Sequence, residues 1–152
     1  MKESTEVILR LIEQNYAQMK QSEDQRATIS SVVVLVAAAI QGGLTQVGFN
    51  KNALTITVTL IIFGSFGMLA SEKLSERRSY YQYKIRNLYE KLEDLVPEAE
   101  LPKIKKLTDD GHLDKYKRTF FYKISRSHIW NALHFIITLT GVIYTFIIIV
   151  KK

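Results

Sequence analysis

Three stretches of this chain are apolar without a polar face, and the segments between them are polar with a helical period. The first, "ISSVVVLVAAAIQGGLTQVGF", runs from Ile29 to Phe49. The second, "ALTITVTLIIFGSFGMLA", runs from Ala53 to Ala70, and the third, "IWNALHFIITLTGVIYTFIIIV", from Ile129 to Val150. Each has roughly 18–22 residues, close to the ~20 a helix needs to cross the hydrocarbon of a bilayer. None contains Asp, Glu, Lys or Arg. A core helix of a soluble bundle keeps one polar face, and these runs have none, so they predict three transmembrane helices.

The flanking segments predict helices that continue the spans. "STEVILRLIEQNYAQMK" places Val7, Ile8, Leu11, Ile12, Asn15 and Met19 at spacings of three and four, behind a cap at Ser4 or Thr5. This is an amphipathic N-terminal helix within residues 1–28. After the second run, Leu74, Arg78, Tyr81, Ile85, Leu88, Leu92 and Leu95 follow a 3.5-residue repeat and predict a packing seam. Lys73, Arg77, Tyr80, Lys84, Asn87 and Lys91 form a second row beside it. The second span and this helix then make one rod from Ala53 to about Val96, ~65 Å long at ~1.5 Å per residue, ended by Pro97. "PEAELPKIKKLTDDG" predicts a short helix and a turn ending at Gly111. Asp114 caps a further helix, "KYKRTFFYKISRSHIW", that runs into the third span. The expected fold is an all-α membrane protein. Two of its three transmembrane helices extend into a cytoplasmic helical hairpin, with the amphipathic helix alongside. Its divisions are 1–28, a transmembrane hairpin at 29–70 (spans 29–49 and 53–70), a basic-aromatic segment at 71–128, and a third span with a short tail at 129–152.

Charge gives this layout a direction. The chain has 152 residues and a formal net charge of +6. The "FNKN" turn between the first two spans holds only Lys51, whereas the segment from Ser71 to His128 holds 14 Lys or Arg and the N-terminal segment four. Basic segments stay in the cytoplasm, so the N-terminus and the 71–128 segment are expected inside and the turn outside, in the bacterial inner membrane. The polar start carries Glu3, Glu6, Glu13, Glu23 and Asp24, so a cleaved signal peptide is not expected. With no cysteine, neither a disulfide framework nor a thiolate zinc site is possible.

Catalytic chemistry is not expected. His128 and His134 lie six apart, off a common helix face, and no acid stands near them at ligand spacing; His112 sits elsewhere. There is no glycine-rich phosphate loop and no nucleophile elbow. No metal and no cofactor are implied. Within the spans the polar or small positions are Gln41, Gly42, Gly43, Thr55, Thr59, Gly64, Asn131 and Thr138. They read either as helix–helix contacts or as the wall of a pore built by several copies, since three spans cannot enclose a channel alone.

The basic segment has three readings. The first is a topology signal. That covers Lys73, Arg77, Arg78 and Tyr80, but Lys84 lies ~20 Å beyond Ala70 along a straight helix. A surface potential fades within ~8 Å. The second is docking of an acidic protein. The third is a phosphate-rich ligand, a nucleotide or short single-stranded DNA, held by Arg77, Arg78, Tyr81, Lys84, Arg86, Lys115, Lys117 and Arg118. Cations there mix with tyrosine and phenylalanine that can stack a base.

The arrangement resembles the SLATT-type small membrane effectors of bacterial anti-phage defence. The residues that carry the resemblance are "QRATISSVVVLVAAA", the hairpin "GFNKNALTITVTLIIFG" and "SEKLSERRSYYQYKIRNLYEKL", covering about Ser4 to Leu95. The third span departs from the plainest two-span members, and among three-span versions the arrangement resembles the membrane effector of Hailong-type defence. The resemblance implies a homo-oligomeric pore that disrupts the host membrane by abortive infection. It also implies gating by a DNA oligomer from a partner nucleotidyltransferase. The small and mildly polar span residues predict a symmetric oligomer, most simply a ring of about four. The alternatives are a holin-like lesion former, or a non-conducting membrane scaffold that binds an acidic protein partner.

Overall fold

A computed structural model describes residues 2–116 and 126–150. Among the described residues the fold is all-helical, without a strand. Helix α1 spans Lys2–Val47, α2 Leu54–Leu95, α3 Leu101–Tyr116 and α4 Arg126–Val150. Three of them, α1, α2 and α4, are long and apolar enough to cross a membrane.

Local chemistry sets the breaks. No proline interrupts α1, so the N-terminal segment and the first apolar run form one helix with no boundary at residue 28. It stops at Gly48, whose φ of 75° is open to glycine at little cost and whose N–H donates to the Leu44 carbonyl at 2.9 Å. Asn50 then holds the turn from both sides. Its Nδ2 donates to the Val47 carbonyl at 2.7 Å, and its Oδ1 accepts from the Asn52 N–H at 2.9 Å. A short 3₁₀ turn, Lys51–Ala53, leads into α2. That helix runs unbroken to Leu95 and ends before Pro97, as the sequence predicts. A second 3₁₀ turn, Pro97–Ala99, and Glu100 in the left-handed region lead into α3.

One expectation fails here. There is no turn at Gly111 and no helix starts after Asp114, because α3 passes through both. A single glycine inside a helix costs only ~1 kcal/mol against alanine, too little to stop one whose other residues favour it. Asp109 and Asp110 accordingly lie within α3 and not in a loop. The expected continuous run through "KRTFFYKIS" falls on residues 117–125, outside the described residues.

The chain divides into two compact units. One comprises Glu23–Ser75 and Arg126–Lys152, and so contains the apolar parts of α1 and α2 together with α4. Its core joins Val33, Ala37, Leu60 and Ile137, with a second cluster of Leu44, Ala53 and Ile148. Tyr144 packs on both clusters and meets the edge of Phe49 at 5.2 Å between ring centroids. Helices α2 and α4 run antiparallel at very close range. A Cβ on Gly64 would stand 2.7 Å from the Thr138 backbone N, and one on Gly141 would stand 3.0 Å from the Ile61 backbone N. Thr145 donates to Thr57 at 2.8 Å, and Asn131 donates to Glu72 at 2.8 Å. As positions rise along α2 their partners fall along α4, so the register is continuous over about four turns. Small residues let backbones approach and the hydroxyls bond across the gap, which is how helices associate where no hydrophobic drive exists between them. Thr57→Val is therefore expected to destabilise this unit by about 0.6 kcal/mol, the typical worth of such a bond between apolar helices, measured by reversible unfolding in detergent.

The other unit comprises Met1–Ser22 and Glu76–Ser125. Ile12 and Asn15 of α1 and Ile85 and Leu92 of α2 are buried in it. The seam read from the sequence is observed: Ile85 and Leu92 are buried, and Arg78, Tyr81, Leu88 and Leu95 half-buried. The N-terminal face is narrower than expected. Ile8, Ile12, Asn15 and Met19 turn inward, but Val7 and Leu11 are 53% and 40% exposed. Asn15 satisfies its amide on the Leu11 carbonyl at 2.6 Å, which is what lets a polar residue sit on the seam.

Candidate functional site

The second row of α2 forms the exposed face of the unit that contains it. Arg77, Tyr80, Lys84, Asn87 and Lys91 are all exposed there, as is Lys73 one turn earlier on the same helix. The cause is the repeat itself: once the 3.5-residue seam turns inward, the row one residue away must face out. The side chains on this face are organised by cation–ring contacts. Arg77 lies 5.8 Å from the Tyr81 ring centroid and Lys84 5.4 Å from that of Tyr80, while the two rings meet edge-to-face at 5.4 Å. Arg77 also donates to Gln18 Oε1 of α1 at 3.0 Å. Tyr80 and Tyr83 expose 58% and 64% of their surface, enough to stack a planar group.

Lys84, Asn87, Leu88 and Lys91 of α2, with Leu11 and Asn15 of α1, line a shallow groove of about 330 Å³. Its floor is apolar and its rim carries the two lysines. Of these six residues only Lys84 was singled out from the sequence as a ligand contact. The rest carried no signal in the sequence, because the groove depends on how α1 lies beside α2.

The other cations differ in their engagement. Arg86 Nε lies 3.6 Å from Glu90 and Lys91 Nζ 3.8 Å from Asp94, both as exposed pairs one turn apart. Such pairs are worth little and release their cation readily to a stronger anion. Arg78 is half-buried on the seam, and Lys115 is exposed at the C-terminal end of α3. Lys117 and Arg118 lie outside the described residues. Tyr89 is pushed above its ordinary value near 10 by partial burial and, after that, by its hydrogen bond with Tyr16, so it stays neutral at neutral pH.

The polar span positions sort into two groups. Gly64, Asn131 and Thr138 lie at the α2–α4 contact: Thr138 donates to the His134 carbonyl at 3.0 Å and its backbone meets Gly64. Thr55, Thr59, Gln41, Gly42 and Gly43 lie away from the core. Thr59 donates to the Thr55 carbonyl at 2.8 Å, and among the described residues nothing comes within 4 Å of a Cβ built on Gly42 or Gly43. The two glycines make no close helix contact among the described residues, and α1 passes through them. Sequence reasoning missed Ser22, Arg26, Ser30 and Thr57, all buried polar residues. Ser22, Arg26, Ser30, Val33 and Ala37 recur at three and four, and that spacing was the available signal.

Among the described residues no group of three or more His, Cys, Asp or Glu gathers at metal-binding spacing. Comparison with family models, curated proteins and solved structures found no match. The likeness to SLATT-type effectors thus stands on the arrangement of residues alone.

Proposed function

We propose that this protein is an integral inner-membrane effector that assembles as a homo-oligomeric pore and takes a nucleotide or short single-stranded DNA signal on the exposed face of α2. The observation that carries the reading is that one uninterrupted helix, Leu54–Leu95, holds both an apolar span and that face. A helix without a hinge passes a displacement along its length, whereas a flexible linker would absorb it.

Membrane insertion is supported by what the apolar helices leave uncovered. Only 22–28% of their apolar windows is buried in the chain's own packing, and Leu35, Ile62, Phe66, Leu69, Phe146 and Val150 are more than half exposed. Lipid, or lipid together with further copies, is the medium that such a surface requires. The absence of cysteine makes topology simple to test. A cysteine at Lys51 is expected to react with an impermeant thiol reagent from the periplasm, and one at Lys105 only with a permeant reagent. The reverse pattern would sink the orientation.

The ligand is supported by the pairing of cations with exposed rings and by the groove between Lys84 and Lys91. Guanidinium and ammonium groups neutralise phosphate, and exposed tyrosines stack bases without regard to sequence. The test is binding of a labelled single-stranded oligonucleotide to the purified full-length protein at low and at raised salt. Affinity is expected to fall along a log–log slope of about −0.7 per phosphate neutralised. No binding at low salt would leave the basic face as a topology signal or a dock for an acidic protein. Ligand-dependent conductance in a planar bilayer then tests the pore; bound ligand with no current in either state would point to a scaffold.

A further inference from the structure

His134 is fully buried in the unit of apolar helices, and its two ring nitrogens have unlike surroundings. Nε2 lies 3.0 Å from Ser30 Oγ, and Ser30 is itself 1% exposed. Nδ1 has no hydrogen-bond partner. The ring stands flat against Gly67 of α2: a Cβ there would be 2.7 Å from Cε1 and 2.8 Å from Cγ, and closer still to Nδ1. Gly67 is thus glycine because the imidazole occupies the space of a side chain.

These surroundings assign the tautomer. Gly67 lies over the ring face, so an N–H at Nδ1 would run in the ring plane among buried atoms, with no acceptor within hydrogen-bond distance, and would be a buried orphan donor. The proton of the neutral ring therefore sits on Nε2 and is donated to Ser30 Oγ.

We propose that His134 is a proton-sensitive latch on the α2–α4 contact, one that closes only while the imidazole is neutral. A second proton has to go to Nδ1, which has no acceptor within hydrogen-bond distance in the packed state. The neighbouring charges do not relieve the imidazolium. On α1, Arg26 occupies the same buried stripe one turn before Ser30 and has the same sign, and Glu23 lies nearly two turns away. On α2, Glu72 is five residues beyond Gly67 and accepts from Asn131. On α4, His128 is exposed. A protonated ring gains a partner for Nδ1 only if the helices packed around it shift, either parting α4 from Gly67 to admit water or bringing up Ser71 Oγ or Asn131 Oδ1, buried and unpartnered acceptors one turn away on α2 and α4. The packed state is thus held near neutral pH and lost as pH falls.

The test uses the full chain in lipid nanodiscs with 15N-labelled imidazoles, in a background of His112→Gln and His128→Gln that leaves His134 as the one histidine signal. Near neutral pH the spectrum is expected to show a protonated Nε2 and an unprotonated Nδ1. Spin labels on cysteines at Leu69 and Ile136, both exposed, report the α2–α4 distance. A single distance near neutral pH is expected to broaden on mild acidification, and His134→Gln, which keeps a donor for Ser30 but cannot take the second proton, is expected to abolish that response. A proton on Nδ1 in the packed state, an imidazolium there, no acid response in the parent chain, or the same response in His134→Gln would each overturn the latch. If His134→Gln fails to insert, the nitrogen spectrum of the parent decides by itself.

Discussion

Alanine at Gly64 or Gly67 is expected to destabilise the protein by about 1–3 kcal/mol, while alanine at Gly42 or Gly43 leaves it unchanged or stabilises it by up to ~1 kcal/mol. All four glycines lie inside helices, so the usual entropic gain of replacing glycine applies to each. What separates them is the space at Cβ. On Gly64 the new carbon would stand 2.7 Å from the Thr138 backbone N, and backbone cannot turn aside as a side-chain end can. On Gly67 it would strike the His134 ring, which is fully buried and held at Ser30. The helices would have to part by part of an ångström along a contact that also carries Thr57–Thr145 and Glu72–Asn131. At Gly42 and Gly43 nothing lies within 4 Å. The measurement is reversible unfolding in mixed micelles followed by helicity. Equal losses at all four positions would mean that the close α2–α4 approach does not exist in the membrane. A loss at Gly42 confined to assembly, with the single chain unaffected, would mark that face of α1 as a contact between copies.

The second large effect concerns the ligand. Changing Lys84 and Arg86 together to Glu is expected to weaken single-stranded oligonucleotide binding by on the order of 100-fold or more at low salt. Hydrogen bonds to charged groups are worth about 1.5–3 kcal/mol each, and two of them correspond to at least two decades in Kd. The reversal also places two carboxylates where phosphate would sit. Both side chains are exposed and neither supports the seam, so the fold is expected to survive. Insertion and orientation should survive as well. Lys84 is fourteen residues past Ala70, ~20 Å along the helix and beyond the reach of the flank that sets topology. Ile85→Ser serves as the contrast, because it attacks the buried seam between these two positions. Binding that persists after the charge reversal would remove the exposed face of α2 as a receptor.

The helices themselves were legible in the sequence because their signals are local. Twenty or so apolar residues without a charge make a span-length helix in any context, and Pro97 stops a helix wherever it stands. The seam from Leu74 to Leu95 and the exposed row beside it were equally legible, since a repeat of 3.5 residues needs no partner to define its inner and outer rows. Gly111 misled the reading because a glycine is a weak breaker, and whether it ends a helix depends on what the neighbouring turns gain by continuing. The site is where local pattern gave out. Nothing along the chain tells Gly64 and Gly67, which the α2–α4 approach requires, from Gly42 and Gly43, whose Cβ positions meet nothing among the described residues. Nor does the sequence show that Ser30 and His134, 104 residues apart, share a hydrogen bond, or that Leu11 and Asn15 close a groove with Lys84 and Lys91. Composition and period decided which residues are helical and which rows are apolar. Only the register between helices, a property of two segments at once, decided which small residues are contacts and which buried polar atoms meet.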